Sequence, residues 1–290
     1  MKQVPIRFAG AQMPCTPNVD DNVEQIKKAI DYAVENKCDY LVTPEGALSG
    51  YDHGDLARRG FDPFENMFTD KLKEGLKEVE SYAKEKVGLC LGTAWLEKER
   101  FGEVGRNQIR FYSKAGDLRG RTNKSFCVNP SDMSYLENDP NVAGISCWQL
   151  GDDTFKFNVV GLVCNDMWGH GWSGHKAMCW EAKQQFNGGG RQDLQLFVHC
   201  TNGYRGNGEF METLFNDWHH AHLTMMSYLA EVPIITVDNC YHIDGREYHG
   251  QTSSESGVVV RGKFVTEIPR TGTQYFYHDF FGIGYDNNTK

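Results

Sequence analysis

The sequence predicts an α/β protein built on a mixed β-sheet, and three observations support this fold class. Short apolar runs rich in β-branched residues alternate with amphipathic segments of helical spacing. Turn signals at residues 115–117 and 261–262 separate strand-like runs, as in antiparallel hairpins. No linker, charge block or low-complexity stretch divides the chain. We therefore expect residues 1–290 to form a single domain around a mixed sheet.

In the first half of the chain, two helices are predicted between strands. Asn18 or Asp20 can cap the first helix, which runs to about residue 36 with apolar residues on one face. Phe68 or Thr69 opens the second helix, whose opposite face is charged and is therefore expected to be solvated. The predicted strands of this half cover residues 4–13, 40–43, 87–96 and 108–112, with a further strand from residue 118.

The second half repeats this scheme. A short apolar strand at residues 159–163 precedes a helix at about 175–186, and a longer helix covers residues 209–230. The remaining strands are predicted at residues 194–200 and 233–238 and in a hairpin at 257–268. The segment between residues 120 and 144 has no clear periodicity and is expected to be irregular.

Composition excludes several classes of protein. A hydrophobic content of 40% and a charged content of 24% are typical of a globular protein, and no apolar run is long enough to cross a bilayer. The net charge of −9, without a basic cluster, argues against a nucleic-acid partner. The nine cysteines are odd in number and form no CxxC pair, which favours reduced thiols. Because the N-terminus also lacks a signal peptide, we predict a cytoplasmic protein with no membrane partner.

Polar residues with chemical potential follow the predicted strands. Cys164 comes directly after an apolar strand, Glu45 follows another, and Lys124 follows a hairpin strand. A carboxylate can take a proton from a thiol, and an ammonium can stabilise the oxyanion that forms when the thiolate attacks a carbonyl. Considered alone, Cys164 is more simply explained as one more small buried apolar residue, since free cysteines are among the most buried residue types.

Three segments resemble the signature segments of the nitrilase, or carbon–nitrogen hydrolase, superfamily. They are PEGALSGY from residue 44, GRTNKSFC from residue 120 and VGLVCND from residue 160, in the order and spacing of that family. The resemblance implies a four-layer α-β-β-α sandwich and a catalytic triad of Glu45, Lys124 and Cys164. It also implies a second glutamate after the lysine, for which Glu137 is the candidate and Asp132 the alternative. It further implies a cofactor-free enzyme that forms homodimers or larger homo-oligomers.

The resemblance implies a hydrolase of small-molecule amides that works through a thioester, with the backbone N–H of Asn165 as a second oxyanion donor. Asn165-Asp166 after the cysteine resembles the amidase and N-carbamoyl branches, so an N-carbamoyl substrate is the alternative. The carbamoyl enzymes often have an arginine after Cys-Asn-Asp, whereas this chain has Met167-Trp168-Gly169. An acyltransferase and a non-catalytic binding protein on the same fold are the remaining hypotheses.

Four residues are predicted to contact the substrate: Tyr51, Asn165, Trp168 and Asn202. Trp168 could instead belong to the core. Arg205 could supply a cation for a substrate carboxylate, although an exposed loop arginine is the simpler interpretation.

Two further features of the second half bear on partners. His219, His220 and His222 on the long predicted helix lack a two-histidine i, i+4 pair with a nearby carboxylate, so no metal site is predicted. The aromatic tail, residues 270–290, is expected to pack on a partner subunit or across its own fold.

Overall fold

The computed structural model describes residues 3–50, 68–99, 102–126, 145–151, 155–168, 178–188, 193–203, 209–240 and 251–284. The helices are α1 (Val19–Glu35), α2 (Asp70–Ala83), α3 (Met178–Asn187) and α4 (Glu209–Ala230), with a 3-10 helical turn at Cys164–Met167. The strands are β1 (Gln3–Gln12), β2 (Tyr40–Val42), β3 (Gly88–Glu99), β4 (Gly102–Tyr112), β5 (Leu118–Asn123), β6 (Cys147–Gly151), β7 (Phe155–Val163), β8 (Leu196–Thr201), β9 (Ile234–Asp238), β10 (Gly257–Val260), β11 (Lys263–Glu267) and β12 (Gln274–Gly284).

The strands form two mixed halves. The first half has the order β12-β1-β2-β3-β4-β5, and the second has the order β7-β8-β9-β10-β11 with β6 paired to β7. Strands β1, β2 and β3 are parallel, as are β7, β8 and β9, whereas the hairpin strands of each half are antiparallel. The halves are joined where the start of β7 pairs with the end of β12. The predicted mixed sheet is confirmed.

Three separate apolar cores define the layers. One lies between α1, α2 and the first half of the sheet and includes Ile26, Val79 and Leu89. A second, with Phe8, Phe111 and Phe157, lies between the two halves. The third lies between the second half and the helices α3 and α4. Three cores between successive layers make an α-β-β-α sandwich, as the resemblance implies.

Capping side chains set the starts of the first two helices. The side chain of Asn18 accepts a hydrogen bond from the backbone N–H of Asp20 at 2.9 Å, which satisfies a donor that the helix itself cannot. Thr69 does the same for the N–H of Leu72 at 3.3 Å at the start of α2. The predicted helix starts are therefore confirmed at Asn18 and Thr69.

Two strands were not predicted from the sequence. Strand β6 pairs antiparallel with β7, and β12 pairs antiparallel with β1 along ten residues, from Gln3↔Ile283 to Gln12↔Gln274. The tail from Gln274 to Gly284 therefore packs across its own fold, which is one of the two expected locations. A contact between the tail and a partner subunit stays a prediction, and the side chains of Tyr277 and Phe281 are exposed.

Among the helices of the described ranges, none combines the length and the apolar character needed to cross a membrane.

Candidate active site

Polar side chains converge where several strands end. Glu45 follows β2, Lys124 follows β5, Cys164 follows β7, and Thr201 and Asn202 lie at the end of β8. All five residues are buried. Because parallel strands end at the same edge of a sheet, and the two halves pack face to face, these residues meet in one region.

The backbone of Cys164 is held in an unusual conformation. Residues 159–163 of β7 are buried, and Cys164 then opens a 3-10 helical turn with a φ of 48°. A non-glycine residue in this left-handed region is strained, and such strain is found mainly where the surrounding structure fixes a functional residue. The predicted exit of the chain from a buried strand at Cys164 is therefore confirmed.

Asp166 connects the turn of Cys164 to the segment that carries Lys124. Its carboxylate accepts hydrogen bonds from the backbone N–H groups of Ser125 at 2.9 Å and Phe126 at 3.0 Å, and from Val163 at 3.2 Å. Burial raises the pKa of Asp166 to about 7, although Lys124 and these three N–H groups act in the opposite direction. Asp166 thus fixes the distance between two strand ends.

Glu45 and Lys124 form a buried ion pair. The Nζ atom of Lys124 lies 2.8 Å from Oε1 of Glu45, and their side chains are 2% and 0% exposed. The same carboxylate oxygen accepts a hydrogen bond from the side-chain amide of Asn107 at 2.6 Å, and the backbone N–H of Lys124 donates to the carbonyl of Asn107 at 2.7 Å. Asn107 therefore positions both members of the pair.

Asn107 was not among the site residues predicted from the sequence. The strand was expected to start at residue 108, whereas β4 begins at Gly102 and runs antiparallel to β3. A polar residue inside a buried strand was the available signal, because such a residue must find a hydrogen-bond partner in the protein.

A glycine allows the Glu45 segment to approach the sheet. A Cβ atom on Gly92 in β3 would lie 2.0 Å from the carbonyl oxygen of Pro44 and 3.1 Å from Cα of Glu45. No side chain fits at this distance, so the close packing of the Glu45 turn on β3 depends on this glycine.

The thiol of Cys164 is neutral in the resting site. Burial and the negative charge of Glu45 raise its pKa to about 12, whereas Lys124 and the Asn202 backbone N–H favour the thiolate. Both Glu45 and Lys124 are thus close enough to Cys164 for their charges to act on the sulfur. The structure brings the three predicted triad residues into one buried site.

The predicted substrate contacts have different surroundings. Asn165 is partly exposed in the turn after Cys164, and the Asn202 side chain accepts a hydrogen bond from the Asn239 amide at 2.9 Å. Trp168 is 1% exposed and lies in the third core, where its ring packs against His199 with ring centroids 5.2 Å apart. This position agrees with the core interpretation of Trp168 rather than with an open pocket wall.

Four candidates lie outside the described residues: Tyr51, Asp132, Glu137 and Arg205. Their predicted roles stay predictions.

The three histidines of α4 have separate partners. Nδ1 of His219 lies 3.0 Å from the carbonyl oxygen of Ser253, and Nδ1 of His220 lies 3.1 Å from the carboxylate of Glu255. His222 hydrogen-bonds the carbonyl of Trp218, one turn earlier in the helix, at 2.7 Å. These partners give each histidine a structural explanation that requires no metal ion.

His199 was also missed. Its ring nitrogen Nε2 lies 3.2 Å from the carbonyl oxygen of Cys164. A histidine inside the apolar run that forms β8 was the signal in the sequence, since a buried ring must find partners for its nitrogens.

At the level of sequence, neither a protein-family model nor a curated protein matches the chain. Solved structures do match it. The glutamine-dependent NAD+ synthetase from Acinetobacter baumannii has a TM-score of 0.71 at 14% identity, over 99% of this chain and 49% of that chain. An amidase from Nesterenkonia sp. has a TM-score of 0.67 at 15% identity, over 94% and 89% of the two chains. Nit3 from Saccharomyces cerevisiae, described as a member of branch 10 of the nitrilase superfamily, has a TM-score of 0.67 at 16% identity, over 95% and 89%.

The chain has the nitrilase-superfamily fold. It spans about half the length of the NAD+ synthetase and 89% of the Nesterenkonia amidase. A mutant of a Nesterenkonia amidase has been solved with the acetamide moiety of fluoroacetamide added covalently to its active-site cysteine. At identities of 14–16%, these similarities establish the fold, and the chemistry of this chain has to be argued from its own residues.

Proposed function

We propose that this protein is a cysteine-dependent hydrolase of non-peptide carbon–nitrogen bonds, acting on small amides through a thioester. The observation that carries the proposal is the buried site itself. Glu45 and Lys124 lie 2.8 Å apart, and the charges of both act on the thiol of Cys164. A nucleophile, a base and a cation are the groups that acyl transfer requires, and here they lie in one buried site.

In the proposed first step, Glu45 takes the proton of the Cys164 thiol while the sulfur attacks the amide carbonyl. Because burial holds the pKa of the thiol at about 12, a preformed thiolate is scarce, and proton transfer accompanies the attack. Lys124 and the backbone N–H of Asn165 stabilise the oxyanion of the tetrahedral intermediate.

In the second step, the C–N bond breaks and Glu45 returns its proton to the departing nitrogen. Ammonia leaves, and the acyl group remains on Cys164 as a thioester. A water molecule that gives its proton to Glu45 then attacks the thioester, so that the carboxylic acid is released and the thiol is regenerated. Glu137, as predicted from the resemblance, would orient the substrate amine or support Lys124.

The substrate class separates this proposal from its alternatives. Primary amides release ammonia and a carboxylic acid, whereas N-carbamoyl compounds release ammonia, carbon dioxide and the free amine. An acyltransferase would pass the acyl group from the thioester to an amine. A binding protein on this fold would turn over none of these compounds.

The test is a panel of acetamide, butyramide, L-glutamine, N-carbamoyl amino acids and nitriles, with ammonia release measured for the wild type and for Cys164→Ala. L-glutamine is included because one structural neighbour is described as glutamine-dependent. Cys38→Ala is the matched control, since Cys38 is a buried thiol just after α1. We expect ammonia release from at least one amide by the wild type and by Cys38→Ala, and none by Cys164→Ala.

Substantial turnover by Cys164→Ala would remove the nucleophile assignment. If the wild type releases no ammonia from any compound of the panel, and circular dichroism shows that it is folded, a binding protein would be favoured. Release of carbon dioxide together with ammonia would identify a carbamoyl substrate instead of an amide.

A further inference from the structure

His199 in β8 uses both of its ring nitrogens behind the turn that carries Cys164. The ring is fully buried, with Nε2 lying 3.2 Å from the carbonyl oxygen of Cys164 and Nδ1 lying 2.8 Å from the hydroxyl oxygen of Thr236. A carbonyl oxygen can only accept a hydrogen bond, so Nε2 must carry the hydrogen. Nδ1 is then the acceptor, and the Thr236 hydroxyl donates to it.

The surroundings of His199 keep this arrangement fixed. Burial lowers the pKa of His199 to about 4, so the ring is neutral at physiological pH. The charges of His219 and Lys124 act in the same direction, whereas the Cys164 carbonyl and Asp238 oppose it. The Trp168 ring packs edge-on against the imidazole, with centroids 5.2 Å apart.

The hydrogen bond from His199 bears on the peptide group between Cys164 and Asn165. In a trans peptide the C=O and the following N–H point in opposite directions. Holding the Cys164 carbonyl toward β8 therefore directs the Asn165 N–H away from β8. The strained φ of 48° at Cys164 makes such a restraint necessary, because the backbone would otherwise relax.

We propose that His199 is a positioning residue, which aims the Asn165 N–H at the developing oxyanion by holding the Cys164 carbonyl on the opposite side of the same peptide group. This inference rests on the proposed function, since it assumes that Cys164 is acylated. His199 itself lies behind the turn and acts only through the backbone.

Two reagents separate positioning of the oxyanion donor from reactivity of the thiol. Iodoacetamide alkylates the Cys164 sulfur by displacing iodide, and no oxyanion forms. p-Nitrophenyl acetate acylates the same sulfur through a tetrahedral oxyanion, releases p-nitrophenolate and leaves an acetyl thioester. Both rates are measured by mass spectrometry on the peptide that contains Cys164. The corresponding peptide of Cys164→Ala is the blank.

We expect His199→Leu to slow acylation by at least about tenfold, since a misplacement of about 1 Å can cost a factor of about 100 in rate. Alkylation should change by less than about threefold, because it needs no oxyanion donor. His199→Gln should restore most of the acylation rate, since its amide can donate to the Cys164 carbonyl and accept from Thr236.

Equal losses in both reactions for His199→Leu would overturn the inference, and so would unchanged acylation. If His199→Leu does not fold, Thr236→Val carries the test. This variant removes the donor that fixes the histidine tautomer, so acylation should fall while alkylation is retained, and parallel changes would again overturn the inference. If Cys164 of the wild-type protein is alkylated by iodoacetamide but not acylated by p-nitrophenyl acetate, both the proposed function and this inference are refuted.

Discussion

The ion pair between Lys124 and Glu45 allows a quantitative test of the site by a double-mutant cycle. Both side chains are nearly inaccessible to solvent, at 2% and 0% exposure, so removing one partner leaves the other charge buried. Such a loss costs about 3–5 kcal/mol in the free energy of unfolding. We therefore expect Lys124→Met and Glu45→Gln each to destabilise the protein by about that amount.

The double variant should be far less destabilised than the sum of the single variants. With both charges gone, the glutamine at position 45 can still accept the hydrogen bond from Asn107, and apolar replacement of a buried pair is often close to neutral. Urea denaturation followed by tryptophan fluorescence gives the three free energies. A coupling energy of at least about 3 kcal/mol is expected.

An additive result, within about 0.5 kcal/mol, would refute the direct interaction of these two side chains. The control is Lys73→Met, which removes an ion pair with Asp70 on the surface of α2, where the side chains are 54% and 89% exposed. Because solvent screens this pair, its loss should cost less than about 1 kcal/mol.

Two further variants and a pH profile test the surroundings of the site. Gly92→Ala places a Cβ 2.0 Å from the Pro44 carbonyl oxygen and should lower turnover by about 100-fold. The control is Gly188→Ala, which should leave turnover unchanged because the space around Gly188 is open. Equal effects of the two variants would refute the argument that the Glu45 turn needs a glycine at position 92. In wild-type protein, alkylation of the buried thiol by iodoacetamide should rise about tenfold per pH unit between pH 6 and 9, because its pKa lies well above this range. A plateau of the rate below pH 9 would contradict the raised pKa. In Asp166→Asn, the side-chain nitrogen that replaces one carboxylate oxygen cannot accept the hydrogen bond from the Val163 N–H. The free energy of unfolding, measured by urea denaturation, should therefore fall by about 1–3 kcal/mol. An unchanged value would show that this contact does not stabilise the protein.

The sequence predicted most of the regular elements because their apolar residues follow one period. The long helix α4 was expected at the residues where it occurs, and the starts of α1 and α2 followed from their capping residues. Strand β12 was missed, since its aromatic residues occupy both faces and its partner is far away in the chain. Its assignment depends on long-range pairing, which a local pattern does not contain.

The candidate site was predicted in part, because three short segments resemble the signature segments of a known family. Glu45, Lys124 and Cys164 lie in recognisable segments at strand ends, and the structure brings them together. Asn107 and His199 were missed because each lies inside a strand, and the role of a polar residue there depends on its hydrogen-bond partner, which only the structure shows. Supporting residues of this kind become visible only once the layers are assembled.

Strand β12 also has a consequence for how the protein is made. It lies between β1 and β7 and so links the two halves, yet its Asp279 follows its partner Arg7 by 272 positions. During synthesis, the edge of β1 that pairs with β12 therefore stays unpaired until nearly all of the intervening chain has left the ribosome. Exposed strand edges are prone to pair with other chains, and long-range pairings form slowly. Nascent copies of this protein are consequently expected to need chaperone protection until β12 has been added to the sheet.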